Sequence, residues 1–273
     1  MIYSKAMPYK QAIASNQVKT LLPTGLSSKQ LSEIRPEILE RARFSSKVRL
    51  AGHLSIIDDG THDLSAGKID LATARLRVKQ FLKSTGYVPP EEKRGGLEDF
   101  SSDRRIDLQL LTTTQQAQGY GWWKQGQDQD ILFAFPATEF LRVESREKPR
   151  EDWPERWNAA RAATTADGAT DSRTGVMVAL KGHPIWIELN RFKVEYEPFD
   201  FGSGMGTEDR SRADAIKLGL LDKDTVIFPQ DRPFNADLKS SEEVRSKTLR
   251  SLLEQSGVGK FKRGVFEYTG GDE

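Results

Sequence analysis

Residues 101–127 read SSDRRIDLQLLTTTQQAQGYGWWKQGQ. In this stretch Ile106, Leu110, Thr113, Ala117 and Tyr120 recur at three- and four-residue intervals, the spacing of one face of an α-helix, and predict a helix of about twenty residues. Its interior is polar: Thr112 to Thr114, Gln115, Gln116 and Gln118 are weak core residues, and Gly119 and Gly121 weaken the end. Such a helix packs against polar surfaces or a partner. The texture changes after it. Short apolar runs, Glu139-Phe140-Leu141-Arg142-Val143 and Val176-Met177-Val178-Ala179-Leu180, read as strands between loops, and a domain boundary is expected near residue 129.

Upstream of the helix the patterning is also helical. A capping-box match at Ser27-Ser28-Lys29-Gln30 precedes Leu31, Ile34, Ile38 and Leu39 at helical spacing, with Pro36 inside that pattern as a start or a kink. A second apolar series runs from Phe44 to Ile57 and is expected to stop at Asp58-Asp59-Gly60. Leu71, Ala74, Val78, Phe81 and Leu82 make one face of a further helix with a basic outer side of Arg75, Arg77, Lys79 and Lys83, closed by Gly86. Pro89-Pro90 and the polar run behind it read as an exposed loop. Near the end, Ser240-Ser241-Glu242-Glu243 is a capping box ahead of a last helix, and Val265-Phe266-Glu267-Tyr268 a strand.

The expected fold class is α+β, with a predominantly helical N-terminal half, a mixed, loop-rich C-terminal half and extended termini. Four segments are expected: a basic extended arm at 1–26, a helical domain at 27–128, a mixed α+β domain at 129–235, and a C-terminal helix and strand at 236–273. The arm's basic character rests on Lys5, Lys10, Lys19 and Lys29, with no acid in the first thirty-two residues.

Composition removes several function classes. The chain has 273 residues, 41 Lys+Arg against 40 Asp+Glu and no Cys. Disulfide frameworks, thiolate metal sites, iron–sulfur clusters and Cys nucleophiles are excluded, and the balanced charge selects no partner. No run approaches a membrane span and the start lacks a secretion signal's apolar core, so a cytoplasmic setting and no membrane partner are expected. His53, His62 and His183 are the only histidines.

Motifs with possible chemistry are few. Gly202-Ser203-Gly204-Met205-Gly206, ahead of a helix near 210–221, lacks the phosphate-loop spacings and reads as a turn. Asp58, Asp59, His62 and Asp63 fail the EF-hand pattern and read as capping acids. His53 beside an apolar face reads as a semi-buried, hydrogen-bonded residue. Glu139, Glu144 and Glu147 are close enough in sequence for carboxylate-pair hydrolysis, with a solvated face as the default. No cofactor or metal is expected. Basic groups with an interleaved aromatic suit phosphate contact and base stacking, so Arg41, Arg43, Lys47 and Arg49, with Lys260, Lys262 and Arg263 around Phe261, are the candidate nucleic-acid contacts. Adjacent Trp122 and Trp123 cannot both face one core and are candidate interface residues.

Several of these stretches resemble one family. The run Arg105 to Gln125, with its Thr-Thr-Thr-Gln-Gln-Ala-Gln-Gly-Tyr-Gly core, resembles the signature helix of the minor head, or head morphogenesis, proteins of tailed bacteriophages related to the F protein of phage Mu. Phe135-Pro136-Ala137, Arg142-Val143-Glu144-Ser145-Arg146, Asp152-Trp153-Pro154-Glu155-Arg156-Trp157 and Pro198-Phe199-Asp200-Phe201-Gly202-Ser203-Gly204-Met205 are similar to segments downstream of that helix in the group. Together they cover roughly residues 60 to 222. Phe199 to Met205 departs from the family in having neither His nor Cys, which removes a metal or thiol role there. The resemblance implies a structural virion component, not an enzyme: an inner-capsid or portal-associated protein acting in particle assembly and DNA packaging. Its implied partners are the portal or major capsid protein and packaged DNA, and its implied location is the virion, with the host cytoplasm during assembly. A sequence-independent nucleic-acid-binding or processing protein is the alternative, and an enzyme built on carboxylates a third reading.

Overall fold

The computed structural model describes residues 20–21, 23–31, 42–230, 259–262 and 265–268. In chain order the elements are β1 (Thr20–Leu21), α1 (Ser28–Leu31), β2 (Ala42–Arg43), α2 (Ala51–Ser65), α3 (Leu71–Ser84), α4 (Asp103–Gln125), α5 (Gln129–Ala134), β3 (Ala137–Arg142), α6 (Trp153–Ala163), β4 (Val178–Leu180), α7 (Ile185–Leu189), β5 (Met205–Arg210), α8 (Arg212–Lys217), β6 (Gly259–Lys262) and β7 (Val265–Tyr268). The class is α+β. The chain divides into two units, Met1–Ala117 with Arg232–Glu273, and Gln118–Asp231. The division falls between Ala117 and Gln118, inside α4, whereas the sequence put a boundary near residue 129. The helix expected after Ser240, and most of the basic arm, lie outside the described residues.

In the first unit the arm's end is fastened to the chain around it. Thr24 N donates to Val48 O at 2.7 Å, Leu26 is buried, and β1 pairs with β2 in parallel. The capping box forms reciprocally: Ser27 N donates to Gln30 Oε1 at 2.9 Å and Gln30 N to Ser27 Oγ at 3.3 Å. The expected stop at Asp58-Asp59-Gly60 does not occur, and α2 runs through it to Ser65. Packing overrides the local signal. A Cβ on Gly60 would lie 3.2 Å from Leu110 Cδ2 and 3.7 Å from Ala74 Cβ, so the bare glycine is where α2, α3 and α4 approach one another. Ile57, Ala74, Val78, Leu82, Ile106 and Leu110 close the core there.

α3 starts at Asp70, whose side chain accepts from Thr73 N, and ends before Gly86 at φ 74°. Three residues of its basic outer side are paired with neighbouring acids: Arg75 Nε donates to Asp107 Oδ1 at 2.8 Å, Arg77 to Asp63 Oδ2 at 2.8 Å, and Lys79 to Asp103.

The second unit is built on an antiparallel sheet in the order β4-β3-β5. Ala137 pairs with Leu180 on one side and Arg210 on the other, and Phe140 with Thr207. Side chains alternate across a strand, so Ala137 and Phe140 face opposite sides and each enters its own cluster. Ala137 joins Val178, Ala215, Leu220 and Leu221. Phe140 joins Trp153, Trp157, Trp186 and Phe199, with ring centroids 4.9 to 6.1 Å from it for Phe199, Trp153 and Trp157. β5 is a strand that the Gly-rich turn reading passed over. Its sequence, MGTEDR, is too polar to show the period, and it is held by backbone pairing to β3.

Candidate functional site

The candidate nucleic-acid residues do not share one environment. Arg41 and Arg263 lie outside the described residues. Arg43 is 4% exposed and its Nε donates to Asp58 Oδ1 at 2.6 Å, so it is a strut between β2 and α2 and not a phosphate contact. Its expected role is corrected on that ground: burial and pairing occupy the guanidinium. Lys47 is exposed at φ 63° and lies 3.5 Å from Glu98 Oε1. Arg49 is exposed and covers Gly25, where a Cβ would meet Arg49 Nε at 2.5 Å. Lys260 is exposed and Lys262 sits two residues along the same strand, in the β6–β7 hairpin, paired with Glu267 and Val265 respectively. Among the described members of the set, the structure brings Lys47 and Arg49 together on one loop with solvent access.

Asp58, Asp59, His62 and Asp63 do not cap a helix, as their sequence suggested, but lie inside α2, where packing carries the helix past them. Asp63 is held below the ordinary carboxylate range by its bond from Arg77, and Asp58 is occupied by Arg43. Among the described residues no group of three or more His, Asp or Glu is disposed to hold a metal ion. His183 Nδ1 accepts from Ile185 N at 3.0 Å and Nε2 lies 2.9 Å from Asp167 O, a fastening of the chain before α7. His53 is more deeply placed than expected. It is 1% exposed and packed edge-on to Phe100, and its Nε2 has no hydrogen-bond partner. Burial, with the Arg105 charge beside it, lowers its pKa to about 4. Glu139 pairs with Arg210 and Glu144 with Arg146.

Trp122 and Trp123 are brought to one cavity. Helix spacing puts Gly119, Trp122 and Trp123 on one side of the last turns of α4, and these residues, with Gly126 directly after the helix, line a cavity of about 400 Å³ together with Thr138 of β3, Thr207 and Asp209 of β5, Lys181, Trp186 and the segment Glu195-Tyr196-Glu197. Trp122 is 56% exposed. Trp123 turns inward, its Nε1 donating to Glu195 Oε2 at 3.2 Å and its ring packed with Tyr120 and Tyr196 at centroid distances of 5.9 and 6.2 Å. The adjacent tryptophans thus line the same cavity, Trp122 with an exposed ring and Trp123 half-buried in the wall.

The backbone explains how 195–197 comes so close. A Cβ on Gly119 would lie 2.3 Å from Glu197 O, a separation no side-chain carbon tolerates, so glycine in the helix is what admits the loop. The Glu197–Pro198 bond is cis. Glu197 Oε1 accepts from Thr207 N at 2.7 Å and Thr207 Oγ1 at 3.1 Å. Burial nonetheless holds its carboxyl above the usual range, the Thr207 bonds opposing and the Glu144 charge adding to the rise. Across the cavity Lys181, its side chain 10% exposed, pairs through Nζ with Asp209 Oδ1 at 2.8 Å. The sequence carried a faint signal, two acids flanking an aromatic before Pro198, but nothing in it linked that segment to Lys181 or to Trp122.

The turn after Pro198 is structural. Phe199 is fully buried, and Asp200, 5% exposed, stands between the guanidinium groups of Arg150, Arg156 and Arg191 at 3.4, 3.4 and 3.7 Å. Gly204, at φ 67°, allows Glu144 O within 2.5 Å of where a Cβ would be. Comparison with protein-family models, with curated proteins and with solved structures found no match to this chain.

Proposed function

We propose that the chain is a structural minor head protein of a tailed bacteriophage, inner-capsid or portal-associated, that serves particle assembly and DNA packaging by docking and not by turnover. One observation carries the reading. The downstream segments that resemble the head morphogenesis family, Arg142–Arg146, Asp152–Trp157 and Pro198–Met205, are spread over more than sixty residues and come together around one aromatic cluster of the second unit. Phe140 in β3 meets Trp153 and Trp157 of the Asp152–Trp157 segment and Phe199 of the Pro198–Met205 segment. Arg142 Nη1 donates to Ser203 O at 3.1 Å and Nη2 to Arg150 O at 3.0 Å. Their charged members act as struts, Asp200 above all. Residues that share a motif because they hold a fold in shape are what a scaffold protein needs.

The partners under this reading are the portal or the major capsid protein, with packaged DNA nearby. Exposed apolar side chains supply surface for such contacts: Phe133 and Phe228 are 60% and 74% exposed, and Arg212, stacked 4.8 Å from the Phe133 ring, donates to Lys223 O at 3.1 Å and so draws the 223–228 segment toward it. The test is gradient sedimentation of nuclease-treated particles from cells expressing the chain with its neighbouring head genes, followed by mass spectrometry. Co-sedimentation with shell and portal at fixed stoichiometry is expected. A soluble monomer absent from every particle overturns the reading and brings forward nucleic-acid binding, to be measured by filter binding across salt.

A further inference from the structure

The cavity at the end of α4 has chemistry that docking does not use. Its wall carries three carboxylates, Glu195, Glu197 and Asp209, and one ammonium, Lys181. The helix end adds to that sign. The last carbonyls of an α-helix carry a partial negative charge, and here they abut the cavity: a Cβ on Gly126 would lie 3.3 Å from Trp123 O, 3.4 Å from Trp122 O and 3.6 Å from Lys181 Nζ. The Lys181 ammonium is therefore seated at this end of α4 and against Asp209, with its side chain only 10% exposed. An ammonium is stabilised in this wall although it is largely withdrawn from water.

The rest of the wall is aromatic. Trp122 presents an exposed indole at the rim, Trp123 and Tyr196 lie behind it, and an indole face attracts a cation most strongly of the side-chain rings. The two Thr207 donors converge on Oε1 of Glu197, which leaves Oε2 to an entering ligand. We propose that this cavity binds an alkylammonium ligand, its charged nitrogen on Glu197 and its methylene stem against Trp122. The same ammonium chemistry is offered by a free aliphatic diamine and by a lysine side chain of another protein.

The protonation of Glu197 gives the proposal a second readout. Its carboxyl is held above the ordinary range by burial, with the Glu144 charge adding to the rise and the two Thr207 hydrogen bonds opposing it; Glu195, Asp209 and Lys181 are the other charged groups of the cavity wall. A bound cation favours the ionised form, so binding releases a proton and weakens as pH falls.

The experiment is isothermal titration of the full chain with 1,5-diaminopentane, with Nα-acetyl-lysine amide and, as a neutral isostere, with 1,5-pentanediol, following tryptophan emission in parallel. Saturable binding of the amines with a change in emission is expected, with no response to the diol and a loss of affinity on acidification and with added salt. Tighter binding of the diamine assigns a free ligand, and tighter binding of the lysine amide a protein side chain. Glu197→Gln is expected to weaken the amine by about tenfold, a buried charge–charge contact being replaced by a neutral one. Trp122→Ala, a change at an exposed side chain, keeps the test open if E197Q does not fold, and is expected to weaken binding while leaving the melting curve in place. Equal binding of diol and diamine, no binding of either amine at millimolar concentration, or unchanged affinity in a folded variant each overturns the proposal. None of these outcomes depends on whether the chain enters a particle.

Discussion

His53 sets the acid limit of the first unit. Its pKa is about 4 in the folded chain against an ordinary value of 6.5, because its imidazole is buried with Nε2 unpartnered and the Arg105 guanidinium close by. The folded state keeps it neutral while the unfolded chain protonates it. Its contribution is thus whole above pH 6.5 and is lost as pH falls through the folded value near 4, a total of about 3 kcal/mol. Chemical denaturation across pH 4 to 7 is expected to show that slope, and His53→Leu to flatten it. Asp200 is the counterpart in the second unit. Its carboxylate is buried among Arg150, Arg156 and Arg191, and removing one member of a buried ionic group leaves the others uncompensated. Asp200→Ala is expected to cost about 3 kcal/mol in urea unfolding. The arginines are partly exposed, so single Arg→Ala changes at 150 or 191 cost less.

Among the elements, close approach is decided by two glycines. Gly60 lies mid-helix in α2 beside Leu110 and Ala74, and a branched side chain there forces α2 away from α3 and α4. Gly60→Val is expected to destabilise by about 2 kcal/mol, the range for overpacking a core, although valine outranks glycine as a helix former. Gly119 in α4 faces Glu197 O. Gly119→Ala is expected to displace the 195–198 segment, seen as an altered emission of Trp123 through its bond to Glu195, with the far-UV circular dichroism of the helices retained. Both positions show how a residue type read as a helix breaker serves contact once a second element is present. The strand β5 teaches the converse. Its polar sequence has no period, and its existence depends on β3 offering an unpaired edge.

For the molecule as a unit, the apolar surface and the charge lead to one further expectation. The balanced net charge of +1 gives no long-range pull toward DNA, and Arg43 is internal, so incorporation into a particle should depend more on apolar contact than on salt. Phe133→Ser with Phe228→Ser is expected to lower incorporation, measured as copies per particle, with little shift in the melting temperature, since both side chains are mostly exposed and only the Arg212 stacking on Phe133 is lost.

Features that depend on neighbours within about one turn of chain were legible before any fold was known. The stripe from Ile106 to Tyr120 specified α4, Asp70 and Gly86 bounded α3, Ser27 and Gln30 formed their box, and the mixed α+β texture after α4 was readable from short apolar runs. Periodicity and capping act locally, which is why these could be read. Folding alone settled the remainder. That Arg43 turns inward to Asp58, that α2 passes through Asp58-Asp59-Gly60, and that Trp122 meets Glu197 and Lys181 across a cavity all depend on pairs of residues from 15 to more than 70 positions apart. No local pattern encodes which distant group will neutralise a charge or fill the space beside a glycine, because burial and desolvation are fixed by the assembled core and not by the chain's immediate neighbours.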